Sequence, residues 1–193
     1  MAVQKPYSIL IVSGSENFNS AIISLLPKAS FELITTASSV AEAKRKILEN
    51  DFDFVVINSP VNDDLGLRFA IDCGNLSGTL VLFLIQNELY SEIYLKLSEN
   101  GVFTLSKPAS KQSMLTALHW LLTAKRKLET AETKSIKMED KMEEIRLVNK
   151  AKWLLISKED LLEPEAHKYL EKEAMNRCIT KKAVALEIIE KYT

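Results

Sequence analysis

Cysteine is scarce in this chain: Cys73 and Cys178 are the two among 193 residues, far apart and without histidine or cysteine neighbours at metal-ligand spacing. That leaves neither a disulfide framework nor a zinc site, and both are expected to be ordinary reduced thiols. Long apolar runs are missing as well. Nowhere do eighteen apolar residues follow one another, and residues 1–8 show no basic stretch leading into an apolar one. A cytoplasmic protein with no membrane partner is expected. Also missing are a paired nucleophile and base, a glycine-rich phosphate loop and a metal-ligand cluster, so the chain is not expected to be an enzyme, and no cofactor or metal is expected. Charge of one sign is lacking too. The net charge is -1, with about -3 over residues 1–111 and about +1 over 149–193, too even to announce a nucleic-acid binder.

What is present is a composition that can bury a core, 47% hydrophobic against 26% charged, in a length that suits one ordinary domain and an appendage, or two small domains. From Tyr7 to Trp120, short apolar runs alternate with longer helical patterns, the signature of an α/β fold with a parallel sheet. Strands are predicted at 8–12, 31–35, 54–57, 80–84 and 102–105. Four are almost continuously apolar, as helices on both faces require, while the second alternates like a strand near an edge. Ser39 and Glu42 have capping-box spacing ahead of Val40, Ala43 and Ile47, which share one helical face.

After Pro108 the pattern changes. Met114, Ala117, Leu121, Ala124, Leu128, Ala131, Ser135, Met138, Met142, Ile145 and Asn149 recur in alternating steps of three and four, a heptad seam. No glycine or proline interrupts residues 109–163, so the fifth helix is expected to run on as a coiled-coil stalk that pairs with another copy. The alternative is that the stripe packs back on its own domain. Beyond it the periodicity breaks at Ser157 and over 159–164, and two helices follow at about 163–177 and 180–191, with Pro164 in a first turn and Thr180 as a cap. The expected domains are 1–120, a stalk over 121–145, and a small helical unit over 146–193.

The order of strands and helices, with Lys107-Pro108 after the fifth strand, resembles the receiver domain of two-component response regulators, a flavodoxin-like fold, over residues 5–122. In that family an aspartate at the end of the third strand accepts phosphate; here Asn58 holds the position. Acidic residues that bind magnesium after the first strand are replaced by Ser13-Gly14-Ser15, and the hydroxyl residue ending the fourth strand by Ile85. Lys107 remains, and the resemblance implies a cis bond before Pro108. The expectation is a pseudo-receiver that is not phosphorylated, with Asp53, Asp63 and Asp64 poorly placed to substitute.

The last 50 residues resemble the ANTAR domain of transcription antitermination regulators. The resemblance rests on Ala151-Lys152 before an apolar run, Glu165-Ala166, Leu170, Ala174-Met175, Arg177, Val184-Ala185 and Ile188-Ile189. Small Ala151, Ala166, Ala174 and Ala185 would let three helices approach, with Leu155, Leu170, Met175 and Ile188 filling the core. The family implies binding to tandem hairpins in nascent mRNA as a dimer, with Lys150, Lys152, Arg177, Lys181 and Lys182 the candidates for RNA contact. Trp153 stands where glycine is common, Glu171 where a basic residue is often found, and His167 where an aromatic is usual. A regulatory sensor protein is a further candidate partner. The rival readings are a protein-interaction signalling module without RNA binding and a DNA-binding regulator. The second is disfavoured because the last helices lack a helix-turn-helix turn.

Overall fold

The computed structural model describes residues 6–62 and 64–192. The chain divides into two compact units, Met1–Glu129 and Thr130–Thr193.

The first unit alternates β1 (Tyr7–Val12), α1 (Glu16–Leu25), β2 (Phe31–Ala37), α2 (Val40–Glu49), β3 (Phe54–Asn58), α3 (Leu67–Gly74), β4 (Leu80–Gln86), α4 (Asn87–Ser98) and β5 (Val102–Lys107). The long α5 (Lys111–Glu159) follows. The strands form one parallel sheet in the order β2-β1-β3-β4-β5. The predicted strands are all there, extended by one or two residues, and the alternating second strand is indeed at an edge. Period-two geometry divides the central strands between two cores. Leu10, Val12, Val55 and Ile57 face Val40, Phe69, Cys73 and Leu97 of α2 to α4, while Ile9, Ile11, Phe54 and Val56 face Ile22 of α1 and Leu118 and Leu121 of α5. Each such buried aliphatic side chain contributes about 1.5–3 kcal/mol.

Local chemistry sets the helix starts. Ser15 Oγ accepts from the Phe18 N–H at 3.3 Å and Ser39 Oγ from the Glu42 N–H at 3.2 Å. Glu42 reaches back one residue further than the capping-box spacing predicts, to the Ser38 N–H at 2.8 Å, while Lys46 sits 2.7 Å from its other oxygen. These contacts hold the Glu42 carboxyl down at about 2.

The heptad stripe changes character along α5. Met114, Ala117 and Leu121 are buried in the first unit's own core, so the first part of the repeat packs against its own sheet. From Leu128 onward the stripe is exposed in the single chain, with Met138 66% and Met142 60% accessible.

In the second unit the end of α5 packs with α6 (Glu163–Asn176) and α7 (Lys181–Tyr192). Pro164 lies in the first turn of α6, Glu165 accepts from the Leu162 N–H at 2.9 Å, and Thr180 Oγ1 caps the Ala183 N–H at 3.2 Å. Ala151, Leu155, Ala166, Leu170, Ala174, Val184, Ala185 and Ile188 form the core. Met175 does not: it is 78% exposed. Ala166, Leu170 and Ala174 recur every four residues on one face, and Met175 lies about 100° around the helix from Ala174. Val184 fills the volume predicted for it.

Candidate functional sites: the receiver pocket and the helical tail

The carboxyl ends of β1, β3 and β5 converge, as parallel strands do where α/β proteins place their sites. Asn58, the last residue of β3, donates from Nδ2 to Ser13 Oγ at 3.0 Å. Lys107, the last residue of β5, donates to Asn58 Oδ1 at 2.9 Å and to the Ser59 carbonyl. Burial pushes the Lys107 ammonium below its ordinary value. Ser13 Oγ also accepts from the Ser15 N–H at 3.1 Å, which turns the chain away from the strand. The network is a closed amide, hydroxyl and ammonium set, with Asn58 using both its donor and its acceptor.

Around it, the chemistry of phosphoryl transfer is replaced by packing. A Cβ at Gly14 would lie 2.7 Å from Asn62 Oδ1, so the Asn62 side chain fills the space above the strand end. Asn62, which sequence reasoning did not single out, adopts a positive φ of 53° and donates to the Ser38 carbonyl at 2.8 Å. Ile85 is buried. Both Ser59-Pro60 and Lys107-Pro108 are cis; the second was expected from the resemblance and the first was not.

The neighbouring acids are elsewhere. Asp53 precedes β3 at the opposite edge of the sheet, bonded to the Ser8 N–H and to Lys125. Asp64 accepts from the Gly66 N–H at 2.7 Å in the following loop, and Asp63 lies outside the described residues. Among the described residues no group of three His, Cys, Asp or Glu could hold a metal ion.

In the second unit, four of the five cations proposed for RNA contact are paired with carboxylates. Lys152 lies 3.1 Å from Glu163, and Lys181 2.6 Å from Glu171. Arg177 makes a two-pronged bond to Glu187 at 2.6 and 2.7 Å, and Lys182 bonds Glu143. Lys150 is exposed and forms no ion pair among the described residues. The bonds to these cations lower the carboxyl pKa values of Glu143, Glu171 and Glu187, and the Glu187 bond raises that of Arg177. Lys181 and Lys182 open α7 and Arg177 follows α6, while Lys150 and Lys152 lie on α5.

Glu171 also lies 3.4 Å from His167 Nε2, and that imidazole is half-exposed. Trp153 is 70% exposed on the side of α5 away from Ala151. The partners Glu143, Glu163 and Glu187 escape sequence reading because they are brought in by helix packing from 10 to 39 positions away.

The profile of the ANTAR domain family matches residues 137–189. The first unit has the fold of receiver domains. The chemotaxis response regulator CheY4 of Vibrio cholerae aligns at a TM-score of 0.52 and 20% identity, covering 61% of this chain and 99% of that one. A signal receiver domain from an HD domain-containing protein of Pseudomonas fluorescens Pf-5 aligns at 0.57 and 19%, covering 67% and 96%. This chain has the make-up of an ANTAR response regulator. Across both units it is similar to the transcriptional regulatory protein PdtaR of Mycobacterium tuberculosis, 23% identical over 188 residues that span 96% of this chain and 90% of that protein. That order of a receiver-like and an ANTAR domain marks a regulatory family, not an enzymatic one. Among the described residues no helix is long and apolar enough to cross a membrane.

Proposed function

We propose that this ANTAR response regulator binds hairpins in nascent mRNA, as a dimer, and regulates transcription by antitermination without being phosphorylated. The supporting observation is the compact three-helix unit within the ANTAR match, which displays Lys150, Lys152, Arg177, Lys181 and Lys182 around its core. Phosphate neutralisation by such residues supplies affinity, and guanidinium adds stacking or hydrogen bonds to unpaired bases. Two tails joined by the stalk would grip two hairpins, so that two weak sites act with avidity. Such a target places the protein in the cytoplasm.

In the input domain, an amide at position 58 is not a phosphate-accepting nucleophile, and it is held by Ser13 and Lys107. Switching then has to come from a partner, such as a regulatory sensor protein, that prefers one state of the domain.

A second reading, a protein-interaction module without RNA contact, draws on one observation: Lys152, Arg177, Lys181 and Lys182 are already neutralised by Glu163, Glu187, Glu171 and Glu143. Titration against a two-hairpin RNA, a scrambled-loop RNA and duplex DNA over a range of salt separates the two. Preference for the two-hairpin RNA, reduced by Lys152→Ala or Arg177→Ala without loss of helicity, is the expected result. Equal weak binding to all three would favour the interaction module.

A further inference from the structure

The helical tail pairs its cations internally; the stalk does not pair its charges. Beside the exposed stripe of Leu128, Ala131, Ser135, Met138, Met142 and Ile145, Lys127, Lys134 and Lys141 precede alternate seam positions, and Glu132, Glu139 and Arg146 follow the others. None of these six is in an ion pair among the described residues. One flank of the helix therefore carries lysines and the other mainly glutamates, with apolar side chains open between them.

We propose that a second copy of this chain covers this stripe, its stalk running parallel and in register. The proposal rests on the dimer reading above and adds its orientation. In a parallel pair, the residue before one seam position faces the residue five places further on in the other helix. Lys127 then meets Glu132 of the second copy, and Lys134 meets Glu139, each twice by symmetry. An antiparallel pair instead sets lysine against lysine along one flank and glutamate against glutamate along the other, because like flanks then adjoin.

The polar seam positions agree. In the parallel arrangement Ser135 meets Ser135 and Asn149 meets Asn149, and a like-for-like asparagine pair is a known means of fixing register. Antiparallel pairing centred on the stripe would set Asn149 against Ala124. The third rung opposes the first two: Lys141 faces Arg146 of the second copy, two like charges.

That repulsive rung gives the test, made on the full chain without RNA. Sedimentation equilibrium should show Arg146→Glu dimerising roughly tenfold more tightly than wild type, since two repulsive contacts become attractive. Lys134→Glu should dimerise more weakly, and Lys134→Glu with Glu139→Lys should recover. In a Cys178→Ser background, Met142→Cys alone should form a covalent dimer on mild oxidation.

Weaker or unchanged dimerisation of Arg146→Glu would overturn the parallel register. So would cross-linking only between Met142→Cys and Ala131→Cys chains. Either result leaves the dimer reading standing. A wild-type chain that stays monomeric at all concentrations would overturn both, while RNA binding by that monomer would leave the RNA reading intact.

Discussion

Replacing Asp53 with alanine strands a buried ammonium. The Lys125 side chain is 8% exposed, its Nζ lies 2.7 Å from Asp53 Oδ1, and it also bonds the Gly78 carbonyl. The other Asp53 oxygen accepts from the Ser8 N–H at 2.9 Å and from Ser8 Oγ at 3.0 Å. Removing one partner of a buried pair costs about 3–5 kcal/mol, but the Asp53 side chain is 31% exposed and water can reach its place, which brings the figure to about 2–3 kcal/mol. For a domain of this size that lowers Tm by about 6–10 °C.

Lys125→Met is the informative comparison. It keeps the apolar stem and leaves Asp53 its two Ser8 donors, so it should cost less, under about 1.5 kcal/mol. Thermal and urea unfolding followed by circular dichroism read both. A loss below about 0.5 kcal/mol for Asp53→Ala, or a larger loss for Lys125→Met, would refute the reasoning.

The pH dependence adds a second check. Burial pushes the Asp53 carboxyl up, but the Lys125 bond, the Ser8 N–H bond and the Lys125 charge outweigh it and hold the group below its ordinary 3.8. A carboxylate depressed in the folded state stabilises fully above its unfolded pKa and stops doing so as pH falls through the folded value. The gap between wild type and Asp53→Ala should therefore be constant from about pH 7 to about pH 5 and shrink below about pH 4.

Two further outcomes follow from the sites. Glu187→Gln should free Arg177 from its two-pronged pairing, steepening the salt dependence of RNA binding by about 0.7–0.9 for each additional phosphate neutralised. An unchanged slope would remove Arg177 from the interface. Asn58→Asp should keep the Lys107 contact and still take up no phosphoryl group from acetyl phosphate and magnesium, because Gly14 and Ser15 offer no carboxylate for the metal. A phosphoryl mass increment in the intact protein would show that the pocket had kept its chemistry.

Much of the first unit is legible in the sequence because its signals are local. A strand buried on both faces needs an unbroken apolar run, as in Val55-Val56-Ile57, and a cap such as Ser39 acts on an N–H three residues away. The candidate RNA site is less readable. Lys152, Arg177, Lys181 and Lys182 are legible as cations, but their neutralising partners are not, since surface pairing depends on which helices lie side by side. Met175 shows the same limit: its apolar character suits a core, and its place around α6 sends it outward.

By itself, then, the sequence determined the order of the α/β elements, the replacement of the acidic pocket by Ser13, Gly14, Asn58 and Ile85, and the continuity of the long helix. These depend on residue identity at a position or on short-range periodicity. Tertiary structure alone decided that Met114, Ala117 and Leu121 belong to the first unit's core while the stripe beyond them stays open. It alone joined Asp53 to the distant Lys125 and placed a carboxylate on each tail cation but Lys150. The physical reason is that periodicity gives a helix an apolar face, and only packing decides what that face, and the charges beside it, will meet.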